Sequence, residues 1–256
     1  MWRGPVVQAR KNAVNAVKGK VFSLHAKLIA LAAQSGGNPD DNPSLAAAIT
    51  KAKKEWVPND NIDRAIKKWT GEDKSAAQIV QIMYEWYAAG WVAIIVNTLT
   101  DNKNRTVANI RHIFAKMSGN MWESGSVSWM FKRKGLIIID ITSHDTDDIE
   151  ELLMETEAED YSIEWDSIEI ICAPEHLTDI QTALENASIS IDVAEIDYIP
   201  DTEVDVTEFD NALKVTKMLQ AFEEDEDVEG VYANGNISSE LQKEIDEFIE
   251  KNTFHT

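Results

Sequence analysis

Between residues 136 and 199 the spacing of apolar residues changes repeatedly, and the order of those changes leaves few folds open. LIIIDIT (136–142) is a continuous apolar run of strand length. Helical spacing follows over 147–157, then two short strand runs at 161–164 and 168–172, a second helix over 175–186 and a last strand over 193–199. In that last run Ala194, Ile196 and Tyr198 alternate with Glu195 and Asp197, as a half-buried strand requires. Strand, helix, strand, strand, helix, strand is the ferredoxin-like order.

The flanking sequence is organised around this block. VAIIVNTLTD (92–101) reads as a buried strand, NRTVANIRHIFAKM (104–117) as an amphipathic helix with Val107, Ile110, Ile113 and Phe114 inward, and SVSWMF (126–131) as another strand. After Pro200 a helix near 207–222 and a strand, VEGVYAN (228–234), are too little for a domain, yet they complete the 92–131 run. Residues 135–202 are therefore expected as an insertion in a discontinuous middle domain of 78–134 and 203–238. The first 77 residues read as helices: one at 21–34 ended by GGNPDDNP, one at about 45–55 capped by Ser44, and one from Asn59 carrying Ile62, Ala65 and Ile66. A last amphipathic helix occupies 239–256. The expected class is α+β in three domains: an all-helical N-terminal domain, a discontinuous α/β middle domain and the ferredoxin-like unit inserted in it.

Charge separates along the same chain. Residues 1–135 hold 20 Lys and Arg against 10 Asp and Glu, whereas 136–256 hold 4 against 35, for a net −21. The first 39 residues contain six cations and no carboxylate. Because salt screens charge beyond roughly 8 Å, a polyanion responds to the local potential and not to the whole-molecule sum. The basic half can bind what the acidic half repels.

Several chemistries are excluded. The single cysteine, Cys172, rules out a disulfide framework and fits a reducing compartment. No apolar run approaches the roughly 18 residues of a membrane span and no signal peptide is visible, so a cytoplasmic protein is expected. There is no phosphate-cradling loop or nucleophile elbow, and His25, His112, His144, His176 and His255 share no ligand spacing. EEDEDVE (223–229) lacks calcium-loop spacing and reads as a solvated face. No enzyme activity, cofactor or metal is expected.

What remains is the basic segment RGPVVQARKNAVNAVKGK. Its cations Arg3, Arg10, Lys11, Lys18 and Lys20, with Lys27, Lys51, Lys53, Lys54, Arg64, Lys67 and Lys68 on the helices after it, suit an arm and helices lying along phosphates. No base-reading motif is present, so backbone or shape recognition is expected. The expected partner is DNA or ribosomal RNA, with a protein partner for the acidic half, no membrane, and a monomeric chain. A competing class is an adaptor whose acidic half binds a basic protein.

RGPVVQARKNAVNAVKGKVF, GGNPDDNPSL, VPNDNIDRAIKK, DNKNRTVANIRHIF, GSVSWMFKRKG and VEGVYAN resemble, in order, the signature blocks of the YebC family. The resemblance implies three domains, a helical N-terminal domain and two ferredoxin-like α/β domains, and a DNA-binding transcriptional regulator. It equally implies a ribosome-associated translation factor, since one branch is a mitochondrial translational activator and bacterial relatives relieve stalling at proline runs. Carried over by position, it marks the arm cations and also Asn104, Arg105, Thr106, Arg111 and His112; Arg105 and Arg111 could equally pair with carboxylates inside the fold. Ala46 departs from the pattern, standing where relatives carry arginine.

Tryptophan is the other departure. Trp2, Trp69, Trp86, Trp91, Trp122 and Trp165 fall where relatives have glycine, whereas Trp129 suits its strand and Trp56 fits either reading. Glycine numbers 11 in 256, and restoring six gives 17, close to the roughly 7% of average proteins. A source that reads UGA as glycine, translated by a code that reads it as tryptophan, accounts for all six.

Overall fold

The computed structural model describes residues 18–69, 79–117, 120–121, 125–141, 146–164 and 167–253. It divides into two compact units, one of Trp129–Thr202 and one formed by the described chain before and after it.

In the Trp129–Thr202 unit, β4 (Phe131–Asp140), α5 (Thr146–Met154), β5 (Ala158–Glu164), β6 (Ser167–Cys172), α6 (Leu177–Asn186) and β7 (Ile191–Pro200) follow one another. The sheet order is β5-β6-β4-β7 with every neighbour antiparallel. Alternate residues of β6, Ile168, Ile170 and Cys172, join Ile137 and Ile139 of β4 against Ile149, Leu153, Ile180 and Leu184 of the two helices. Gly135 lies opposite Cys172, and a Cβ there would come within 2.6 Å of the thiol sulfur, so the close approach needs glycine. Burial pushes the Cys172 thiol above its ordinary pKa, as for a packing residue.

The other unit begins with three helices, α1 (Lys18–Ala33), α2 (Pro43–Lys54) and α3 (Asn59–Trp69). Ile29, Leu45, Ala52, Val57, Ile62 and Ala65 form their core. The start of α2 is set by Asn42, not Ser44: Pro43 fixes the first helical position, and the Asn42 side chain accepts from the Leu45 amide while donating to the Ala32 and Gly36 carbonyls at 2.8 Å.

A four-stranded sheet follows, built from β1 (Val80–Tyr87), β2 (Ala93–Thr100), β3 (Asn120–Met121) and β9 (Val228–Ala233) in the order β3-β1-β2-β9, all antiparallel. All eight β2 residues are buried. On one face Ile94 and Val96 meet α4 (Lys103–Lys116) and α7 (Phe209–Glu224) through Ile110, Phe114, Val215, Met218 and Phe222; on the other, Leu99 packs with Ala30 of α1. Cover on both faces accounts for the apolar run Ala93–Val96, and the buried Thr98 hydroxyl donates to the Ile82 carbonyl at 2.9 Å. The last helix, α8 (Ser239–Thr253), adds Ile245 to the first of these cores. A short parallel pair, β8 (Val204–Asp205) with β10 (Gly235–Asn236), completes the unit.

Two features differ from the sequence expectation. The segment 126–131 is not a strand of this sheet: Ser128–Met130 is a 3-10 turn, and Phe131 already belongs to β4. The Glu85 carboxylate accepts hydrogen bonds from the amides of Gly125, Val127 and Ser128 at 2.7, 2.9 and 2.8 Å, which removes the donors a ladder would use. The strand order also differs from the ferredoxin-like one. The tight Ala88–Val92 connection makes β1 and β2 adjacent, so a hairpin occupies the centre and strands from before and after residues 129–202 take the edges.

Candidate nucleic-acid interface

Arg3, Arg10 and Lys11 lie outside the described residues, and Lys18 opens α1 with its side chain outside them. The remaining candidates separate into two groups.

The first group gathers at one buried acid and the helix end beside it. Asp227, from the acidic run expected to be solvated, is 3% exposed. A carboxylate at that depth needs charged partners, since an unpaired buried charge is strongly destabilising. It receives Lys27 Nζ at 2.8 Å, Arg105 Nη2 and Nε at 2.9 and 3.2 Å, and Thr106 Oγ1 at 2.9 Å. Burial alone would raise its pKa, but the hydrogen bonds from Lys27, Arg105 and Thr106 outweigh burial and hold the carboxyl below the ordinary range. Lys27 also donates to the Glu226 carbonyl at 2.7 Å, and Lys20 donates to the Glu223 carbonyl. Burial lowers the Lys20 ammonium below the usual lysine pKa. Lys20, Lys27 and Arg105 thus make structural contacts with the end of α7 and the 225–227 turn.

The motif DNKNRT has a local explanation in the same place. Asn102 caps α4 by accepting from the Arg105 amide at 3.2 Å, and Asp101 pairs with Arg105 at 3.1 Å. Thr106 is buried, whereas Asn104, Arg111 and His112 are exposed on α4. The Arg111 charge lies near the Tyr84 hydroxyl, whose pKa burial raises.

The second group faces solvent. Lys51, Lys53 and Lys54 occupy the last turn of α2, and Arg64, Lys67 and Lys68 lie on α3; all six are exposed. Among the described residues no ion pair involves Lys53, Lys54, Arg64 or Lys68. The acid between the helices, Glu55, is turned to His25 at 3.2 Å, and that hydrogen bond holds its carboxyl below the ordinary value. Cations in a last helical turn complement the helix dipole, so the fold favours them there without a ligand. Beside this face, a groove of about 390 Å³ is lined by Phe22, Ala26 and Lys27 of α1 and by Asn61, Arg64, Ala65 and Lys68 of α3, with Ile79 and the Asp101 carboxylate also facing it.

Asp227 was the residue missed. Nothing in EEDEDVE singles out one of its carboxylates by period or spacing; the only cue is its position immediately ahead of a strand.

Three non-glycine residues have positive φ among the described ones, and two are tryptophans: Trp56 (φ 61°) and Trp91 (φ 63°), 88% and 75% exposed. Trp86 is buried and stacked on Phe114 with ring centroids 3.6 Å apart, its indole nitrogen without a hydrogen-bond partner. Trp129 is exposed, the Trp69 side chain lies outside the described residues, and so do Trp2, Trp122 and Trp165.

Among the described residues no helix is long and apolar enough to cross a membrane. Residues 79–235 match the family model described as the TACO1/YebC second and third domain, and residues 5–72 match the TACO1/YebC protein N-terminal domain. A Maridesulfovibrio salexigens protein is 41% identical over 241 residues, covering 94% of this chain and 96% of its own length. A Pelotomaculum thermopropionicum protein is 44% identical over 234 residues, covering 90% and 96%. Both carry the name "Probable transcriptional regulatory protein". The crystal structure of a conserved hypothetical protein from Aquifex aeolicus superposes with a TM-score of 0.79 at 39% identity, over 88% of this chain and 93% of that one.

Proposed function

The chain belongs to the TACO1/YebC family, and from that premise we propose that it is a nucleic-acid-binding regulator of gene expression that grips phosphates with the exposed cations of α2 and α3. The observation that carries the reading is the division of the basic residues: the end of α7 and the 225–227 turn engage Lys20, Lys27 and Arg105, while Lys53, Lys54, Arg64 and Lys68 stay at the surface without an ion pair among the described residues. The relatives' name supports a transcriptional target. Ribosomal RNA offers the same phosphate field, so the reading extends to a ribosome-associated translation factor. The regulator has an N-terminal helical domain and two further α/β domains, works in the cytoplasm as a monomer, and uses no catalytic centre or cofactor.

The test is a salt titration of affinity for duplex DNA and structured RNA. Each phosphate contact contributes about 0.9 to the slope of log affinity against log salt on duplex DNA. Replacing Lys53, Lys54 and Lys68 with alanine should flatten that slope by about 2 to 3, with the fold intact. An unchanged slope would reject the reading in favour of an adaptor that meets a basic protein through its acidic residues.

A further inference from the structure

We infer that the groove between α1 and α3 holds one unpaired base of a nucleic-acid strand, with the adjoining phosphate on Arg64 and Lys68. The inference rests on the nucleic-acid reading above and goes beyond phosphate gripping.

Along α3, Asn61, Arg64 and Lys68 stand three, four and seven residues apart and so share one side of the helix, which forms a wall of the groove. Ala26 on α1 and Ala65 on α3 are small where the two helices face each other, and that smallness leaves the depression open; Phe22 supplies an aromatic ring to its floor. The space, about 390 Å³, is within the range of small-ligand sites. The one carboxylate in the lining, Asp101, is paired with Arg105 at 3.1 Å, so an apolar slot with Arg64 and Lys68 on one side matches a ligand flat and apolar at one end and anionic at the other. A nucleotide unit has that chemistry. A duplex keeps its base faces stacked and can offer this face only phosphates, whereas an unpaired base can leave the stack and lie on an aromatic ring. The Asn61 amide has the donors and acceptor to meet a base edge. Continuity with the exposed cations supports a strand as the occupant, because Arg64 and Lys68 belong both to the groove and to the outer basic face.

The test uses the full chain and fluorescence anisotropy with a short single strand, the same strand carrying abasic positions, and a duplex of equal length at one ionic strength. Base stacking on an aromatic side chain strengthens binding by about fivefold or more per base, so the abasic strand should bind at least that much more weakly. Ala26→Leu, which fills the floor, and Asn61→Ala, which leaves the helical core intact, should each narrow the difference between intact and abasic strands while duplex affinity and its salt slope stay unchanged. Equal affinity for the intact and abasic strands, with salt-dependent binding retained, overturns the groove assignment and leaves the phosphate grip standing. Loss of all salt-dependent binding removes the functional reading itself. Saturation of the groove by adenosine monophosphate with the strand's affinity overturns the commitment to a strand.

Discussion

The Arg105 guanidinium meets the Asp227 carboxylate through two nitrogens, at 2.9 and 3.2 Å, across 122 positions of sequence. Lys27 of α1 reaches the same carboxylate at 2.8 Å, so one buried acid joins the helical segment, α4 and the loop entering β9. Lys27 and Arg105 are therefore paired with an acid of their own chain, and on the proposed reading phosphate binding falls to the exposed cations of α2 and α3.

Removing Asp227 should be costly. Asp227→Ala leaves the mostly buried Lys27 without its carboxylate, while the half-exposed Arg105 keeps Asp101, so the loss should be about 3 kcal/mol, the low end for breaking a buried pair. Lys27→Met should cost less, because Arg105 and Thr106 still satisfy the carboxylate. Urea unfolding monitored by circular dichroism gives the ordering, and equal costs for the two variants would contradict the hub.

Acid should weaken the fold through three carboxyls. Asp227, Glu85 and Glu55 are all held below their ordinary pKa; for Glu85, burial raises the value but the Val127, Gly125 and Ser128 amides outweigh it. Each binds a proton less readily folded than unfolded. Their contribution is complete above the unfolded values, about 3.9 for Asp and 4.3 for Glu, and is lost as pH falls through the lowered folded values. The urea midpoint should hold from pH 7 to about 5 and then fall. In Glu85→Gln the fall should be shallower.

Glu85 has a local signature as well. Because its carboxylate holds three amides of the 125–128 segment, Glu85→Gln should speed hydrogen exchange at Gly125, Val127 and Ser128 by about tenfold or more, with β4 amides unaffected. Unchanged exchange at these three amides would remove Glu85 as the reason this segment is not a strand.

The succession of strands and helices over residues 136–200 was legible because each element keeps its own period, as Ile168, Ile170 and Cys172 do in β6, but the start of β4 at Phe131 was not. β1 was not, since its burial follows no alternation and Glu85 sits in its interior. The segment 126–131 has strand composition, but its conformation is decided by a carboxylate some 40 residues earlier. Arg105 shows the same limit at the site: its role depends on Asp227, and no local pattern carries a pairing over that separation. The exposed cations of α2 and α3 were legible, because helical spacing alone places them on the outside.

The tryptophans offer a separate check. A side chain in the left-handed region costs about 1–2 kcal/mol, so Trp91→Gly and Trp56→Gly should each stabilise the recombinant chain by about 1 kcal/mol. Peptide mass spectrometry of the protein from its own source should find glycine at positions 91 and 86; tryptophan at either ends the recoding account.

The most direct test of the phosphate grip is ultraviolet crosslinking in cells, with the bound nucleic acid sequenced and the crosslinked peptides mapped. The expected result is crosslinks in peptides spanning 43–69, joined to DNA or to ribosomal RNA. Crosslinks confined to residues 129–202, or none above an uncrosslinked control, would contradict it.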